Sequence, residues 1–236
     1  MLKAVTRDRV GMRACERMLQ EIEQDVCYTR HLLGLEALSA PVLQALRDVP
    51  RHAFVPDALQ DAAYDNRPLP IGENQTISQP YIVAIMTELL ALNPEHQVLE
   101  VGTGSGYQTA VLARLVKLVY SIEIVETLAK RAASRLKHLG FHNVEMRIGD
   151  GYNGWPEAAP FDAIIITAAA DRVPPPLLEQ LKPGGRLIVP LNNGFDQELV
   201  LLSKASSGAI TQRKLLPVAF VPMTGLARDN NGNSSS

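Results

Sequence analysis

Cysteine is scarce in this chain of 236 residues: Cys15 and Cys27 are the only two, both in one helical-looking segment. A pair so placed is no disulfide framework, which points to a reducing compartment, the cytoplasm. Basic excess is lacking as well. A formal net charge of −2 offers no positive face to a phosphate backbone, so no nucleic acid is expected as a partner. No apolar run exceeds the length of a strand, which excludes a membrane-spanning helix and a membrane partner. Met1 to Arg13 carries scattered charge in place of the apolar centre of a secretory signal. Internal repeats are absent too. What is present is an ordinary globular composition, 46% hydrophobic and 20% charged, long enough for one sizeable core with appendages.

The most informative segment is Val98-Leu-Glu-Val-Gly-Thr-Gly-Ser-Gly106. Leu99 and Val101 belong to a short buried strand, and Gly102, Gly104 and Gly106 let the chain turn tightly beside a ligand. Helical spacing resumes from Tyr107 to Val116. A nucleotide-like cofactor is therefore expected at the carboxyl end of this strand. A dinucleotide fingerprint wants its third glycine three residues after the second, whereas Gly104 and Gly106 are two apart. Glu100, just before the turn, would repel a pyrophosphate and attract a cationic sulfonium. These features favour S-adenosylmethionine over a nicotinamide dinucleotide.

Further acids stand at strand ends. Leu118 to Ile124 reads as a second strand with Glu123 near its end, about twenty residues beyond the first glycine, where a ribose diol is held in such folds. Val144 to Gly151 reads as a third, with Asp150 able to accept from an adenine amino group. Phe161 to Ala168 is a continuous apolar run, as for a strand covered on both faces. Each acid alone has a plainer reading as a turn residue or helix cap. Together, in register, they define a ligand-binding edge.

Helices open the chain at Val10 to Tyr28 and, capped by Ser39, from Pro41 to about Leu46. An irregular, proline-punctuated stretch follows to Gly72, too long to be an idle connection. Gln79 to Leu92 has the apolar stripe of an amphipathic helix. Beyond the fourth strand come a short helix at Pro176 to Leu181, a strand at Arg186 to Pro190, and two last strands at Glu198 to Lys204 and Leu215 to Pro222. The fold class is thus α/β, a doubly wound and mostly parallel seven-stranded sheet with N-terminal helices. Residues 1–78 form an N-terminal helical segment and substrate loop packed on the core, 79–227 the methyltransferase domain, and 228–236 a disordered tail.

The segments Ala63 to Gly72 and Gln75-Thr-Ile-Ser-Gln-Pro-Tyr81, with the upstream Val49-Pro-Arg-His-Ala-Phe-Val-Pro56, closely resemble protein-L-isoaspartate O-methyltransferases. The likeness continues through Val98 to Gly106, Gly149-Asp-Gly151, Phe161 to Ala169 and Phe220-Val-Pro-Met-Thr224, covering roughly Val42 to Thr224. It implies that the sheet is of the Rossmann-like class I methyltransferase kind, and that Ser78 is the active-site serine, near the transferred methyl and the substrate carboxylate. It implies cofactor contacts from Gln75, Thr76, Ile77 and Ser78, from Thr103, and from Glu123, Ile124, Asp150, Gly151 and Thr224, which join Glu100, Gly102, Gly104 and Gly106 of the strand and turn as cofactor-binding candidates. One departure is visible: the family usually has glycine where this chain has Asn74, a residue that tolerates a left-handed backbone better than most.

The implied substrates are isoaspartyl proteins and peptides, whose free α-carboxylate is already ionised at neutral pH and needs no general base. That agrees with the lack of a convincing His-Asp or Cys-His pair. His138 and His142 are four apart, but Gly140 interrupts the turn and no third ligand is near, so no metal site is expected. Ser78 also has a plain reading as the cap of the following helix. Tyr64 either lines a peptide groove or staples the loop, and Trp155 packs over the loop after Asp150. A monomer is favoured. Two alternatives stand beside repair methylation: a methyltransferase for a different small-molecule or protein substrate, and a non-catalytic cofactor-binding module.

Overall fold

A computed structural model describes residues 2–225, with side chains from residue 11 onward. The tail expected to be disordered, 228–236, lies outside the described residues. Helix α1 (Leu2–Leu33) buries Met18, Leu19, Ile22, Val26 and Leu33, a stripe at helical spacing. It runs one turn beyond the expected end at Tyr28. Gly34, left-handed at φ 63°, closes it by donating to the Arg30 carbonyl. Helix α2 (Ala40–Asp48) begins at Ser39 as expected, but the Ser39 side chain caps nothing. Its hydroxyl and its backbone N–H both donate to Glu88, at 2.8 Å each, tying α2 to the next helix.

The proline-rich stretch is ordered by two 3-10 helices (Arg51–Phe54 and Asp57–Ala62) and a two-stranded hairpin, β1 (Leu69–Gly72) and β2 (Gln75–Ile77). Its turn is made by Glu73 and Asn74, both left-handed, at φ 53° and 54°. Asparagine there fits the conformation that the sequence demanded. Helix α3 (Pro80–Leu89) stops short of Leu92, because Ala91 turns left-handed at φ 50°.

The remaining chain alternates strand and helix: β3 (Gln97–Val101), α4 (Tyr107–Ala113), β4 (Leu118–Glu123), α5 (Glu126–His138), β5 (Val144–Ile148), β6 (Phe161–Ile166), α6 (Pro175–Glu179) and β7 (Leu181–Asn193). Two last strands, β8 (Asp196–Lys204) and β9 (Ile210–Val218), complete a sheet of order β5-β4-β3-β6-β7-β8-β9. Pairings from β5 across to β7 are parallel, and β8 and β9 add antiparallel. Strand β7 begins earlier than Arg186; a register shift against β6 absorbs its Pro183-Gly-Gly185.

The expected strand Leu215 to Pro222 lies partly off the sheet. After Val218 the chain leaves β9 and crosses to the end of β6, where Ala169 donates to Val221 and accepts from Met223. That crossing carries Thr224 to the ligand-binding edge. Because β3 is flanked by β4 on one side and β6 on the other, chain direction around the sheet reverses there, opening a crevice at the strand ends. The N-terminal helices share one apolar core with the sheet: Met18, Leu46 and Phe54 belong to the same cluster as Val111 and Ile188.

Candidate active site

The crevice floor is the glycine turn. Gly102 and Thr103 donate to the Ile122 carbonyl, at 2.8 and 3.3 Å, so the loop extends the β3–β4 pairing beyond the strands. Thr103 exchanges a buried hydrogen bond with Ser121 at 2.6 Å. At the end of β4 the Glu123 carboxylate accepts from Gly104 N–H at 2.7 Å and Val125 N–H at 2.9 Å. Two backbone donors thus fix the acid on the crevice wall. Ile124 beside it is 40% exposed, an apolar ledge open to a planar group.

Gln75, Thr76, Ile77, Ser78, Gly151 and Thr224 also line the crevice. With Gly102, Thr103, Gly104, Glu123 and Ile124, these sequence candidates converge on one crevice. A carboxylate suited to a diol, a backbone-lined floor and an apolar ledge fit an adenosyl ligand.

Three candidates stand elsewhere. Glu100 does not face the crevice: it is fully buried on β3 and accepts from the Thr109 and Ser121 hydroxyls. Alternation along the strand turns its side chain towards α4. Burial pushes its carboxyl up to about 8, against the pull of those two hydroxyls, so it is no ready anion for a sulfonium. Gly106, at φ 87°, is needed for packing: a Cβ there would lie 3.3 Å from Ala132 of α5. The Asp150 carboxylate accepts from Tyr152 N–H at 2.9 Å and lies under Gly225, where a Cβ would come within 2.4 Å. Its neighbour Gly151 reaches the crevice instead.

Ser78 is not a helix cap. The residue that precedes α3 is Gln79, and its side chain does not cap either. Ser78 is held through its carbonyl, which accepts from Arg51 Nη2 at 2.8 Å. Arg51 is entirely buried, also donates to the Ala63 carbonyl at 2.8 Å, and lies 4.8 Å over the Tyr107 ring. No carboxylate among the described residues pairs with it, and burial lowers its affinity for the proton. Its motif was visible in the sequence, but its role was not; only a charged residue amid an apolar Pro-Arg-His-Ala-Phe run hinted at one. Thr167 was missed as well. It ends the apolar run of β6, bonds the Gly102 carbonyl at 2.5 Å, and lines the crevice.

Tyr64 accepts or donates at His52 Nδ1, 2.8 Å away, and so staples the loop. Trp155 packs edge-on against Tyr120 at 5.2 Å, under the Arg147 guanidinium.

A doubly wound sheet with a carboxylate at the end of its second parallel strand and a backbone-lined crevice is the architecture of a class I, Rossmann-like methyltransferase. The family model for protein-L-isoaspartate(D-aspartate) O-methyltransferase matches residues 34–228, and the chain belongs to that family. Protein-L-isoaspartate O-methyltransferase 2 of Syntrophobacter fumaroxidans is 58% identical over 89% of this chain and 85% of its own length. Protein-L-isoaspartate O-methyltransferase 1 of Nitrosospira multiformis is 60% identical over 79% of each chain. A solved protein-L-isoaspartate O-methyltransferase superposes with a TM-score of 0.79 and 28% identity, covering 92% of this chain and 69% of that one. A Plasmodium falciparum protein solved with S-adenosyl-L-homocysteine shares the fold, with a TM-score of 0.72 and 24% identity over 86% of this chain and 97% of its own.

Proposed function

We infer that this chain is a protein-L-isoaspartate O-methyltransferase, methylating the free α-carboxylate of L-isoaspartyl residues and so starting their repair through a succinimide. S-adenosylmethionine, the family's methyl donor, supplies a methyl group on a positively charged sulfur. The observation that carries this reading is the position of Ser78. Together with Thr76 and Thr167 it borders both the cofactor crevice and a second, open groove. A hydroxyl at that neck can donate to a carboxylate arriving from the groove side.

The chain's own residues then hold and orient. Glu123 would hold the ribose hydroxyls, Gly102 to Gly104 and Gly151 would meet the cofactor through backbone, and Ile124 would pack on its base. Gln75 to Ile77 form the wall that excludes water. Thr224 closes the far end. The carboxylate, with a pKa of about 4, arrives ionised, so no protein group has to remove a proton. Positioning of the two reactants can supply roughly 7–11 kcal/mol of the barrier reduction. After release, the neighbouring backbone nitrogen attacks the ester carbonyl, loses its proton and expels methanol to close the succinimide, without help from the protein. The substrates are damaged proteins and peptides of the cytoplasm, and the chain acts as a monomer. No helix among the described residues is long and apolar enough to cross a membrane.

Labelled S-adenosylmethionine with paired isoaspartyl and aspartyl peptides tests the reading. Label is expected on the isoaspartyl member alone; equal or absent labelling of the two rejects it.

A further inference from the structure

The open groove that meets the crevice at Ser78 is built partly by an element outside the family match. Helix α1 ends at Leu33, whereas the matched residues begin at 34. Even so, α1 contributes Asp25, Tyr28 and Thr29 to one wall. The end of β9 and the crossing segment after it, including Val218 and Phe220, line the same groove. Thr29 is fixed there by a 2.7 Å bond between its hydroxyl and that of Tyr81, and Asp25 by accepting from Asn66 Nδ2 at 2.8 Å. Asn66 in turn accepts from Tyr81 N–H at 3.0 Å, two residues after Gln79. The α1 wall is therefore locked to the serine-bearing loop.

The groove encloses about 590 Å³, within the roughly 300–1,000 Å³ of ligand-sized clefts. Among its described lining residues Asp25 is the one charged side chain. The others are apolar, hydroxyl-bearing or amide. Tyr28, 77% exposed, lines the groove beside Asp25. An aliphatic stem can lie along such walls while its cationic head reaches a carboxylate, and an exposed ring face adds attraction for the same head. An acidic side chain would meet Asp25 with no cation in the groove to offset the repulsion.

On the reading of the substrate given above, we propose that α1 forms a specificity subsite selecting isoaspartyl sites flanked by lysine or arginine, through Asp25. The occupant is the peptide residue next to the damaged one, on the side that runs past α1.

The test measures kcat/KM for isoaspartyl peptides carrying Lys, Ala or Glu at each position flanking the isoaspartate. For the native chain, Lys is expected to exceed Glu about five- to tenfold on one flank, in keeping with one partly exposed charge contact on each side of the comparison. In Asp25→Asn that ratio falls to near one on that flank, and in Asp25→Lys it inverts. The spread in the native chain also narrows in high salt. Equal rates for Lys and Glu peptides in the native chain, or an unchanged ratio in both variants, overturn the subsite while leaving the methyl acceptor intact. Failure to label any isoaspartyl peptide overturns the acceptor assignment and the subsite with it.

Discussion

Replacing Arg51 by methionine is the most searching perturbation of this site. The guanidinium is wholly buried, yet its bonds go to two backbone carbonyls that lie fifteen residues apart along the chain, those of Ala63 and Ser78. Between them lies the whole substrate loop, including the β1–β2 hairpin. Methionine keeps an unbranched apolar stem but is shorter and removes both donors. Each carbonyl left without a partner costs about 1–3 kcal/mol, and the lost stacking over Tyr107 a further ~0.5–2 kcal/mol. Against this, the chain no longer has to bury an unpaired cation, which returns several kcal/mol of desolvation. These terms largely offset, so a net loss of no more than about 4 kcal/mol in urea unfolding is expected, short of unfolding the protein.

Catalysis should suffer more than cofactor binding. Ser78 is placed through the carbonyl that Arg51 holds, whereas Glu123 and the glycine turn are held by bonds of their own. Displacement of a positioning group by about 1 Å can cost roughly a hundredfold in rate. Arg51→Met is therefore expected to lower kcat/KM on an isoaspartyl peptide by at least about tenfold. Affinity for S-adenosylmethionine by calorimetry should hold within about threefold. Arg51→Lys separates charge from geometry, since an ammonium keeps the charge but not the planar fork that spans two carbonyls. It should fall between the two. Stability and kcat/KM both at native level in Arg51→Met would refute the idea that the guanidinium positions the serine.

Ser78→Ala removes one hydrogen bond to a charged group, so turnover should drop about ten- to a hundredfold with cofactor affinity largely kept; unchanged turnover would leave Ser78 a lining residue only. Glu100 binds its proton more tightly when folded, its pKa raised from 4.5 to about 8 by burial. Its contribution to stability is then fully present below the unfolded value and declines as pH rises towards 8. Glu100→Gln should flatten that decline in unfolding measurements between pH 5 and 8, and an unaltered pH profile would show that the carboxyl ionises normally. Asn74→Gly relieves a left-handed non-glycine residue at φ 54° but adds unfolded-state entropy. These terms oppose each other at about 1 kcal/mol or less, so thermal unfolding should shift little and kcat/KM should stay within about twofold.

The sheet was legible because its strands announce themselves. The Ile-Ile-Ile run of β6 can only be covered on both faces, and Gly102 to Gly106 can only be a tight turn at a strand end. The loop sequence around Ser78 brought the serine, its neighbours and Thr224 into one group before any geometry was available. The errors have a common origin. Glu100 precedes the turn in sequence as closely as the floor residues follow it, but one residue along a strand reverses the face. Gly106 and Asp150 likewise sit within a residue or two of true lining positions. Ser39 looked like a cap, yet a carboxylate from α3, forty-nine residues away, took its hydroxyl. Long-range partners of this kind leave no local trace, and Arg51 is the clearest case.

The corrected position of Glu100 changes the electrostatic account of the reaction. A sequence argument put an acid beside the sulfonium; the structure leaves Glu123 as the sole acid among the described residues lining the crevice, with no Lys, Arg or His beside it. In the adjoining groove Asp25 alone is charged. Methyl transfer to a carboxylate joins an anion to a cation and leaves neither, so charge is largely lost by the transition state. Walls that offered strong counter-charges to either reactant would stabilise the ground state more than the transition state and slow the step. A neck bounded by Val221, Thr76, Thr167 and Ser78 gives orientation without that penalty. Arg51 fits the same logic. Its charge is kept off the surface, bonded to carbonyls behind the serine, and it shapes the wall without becoming a partner for the carboxylate.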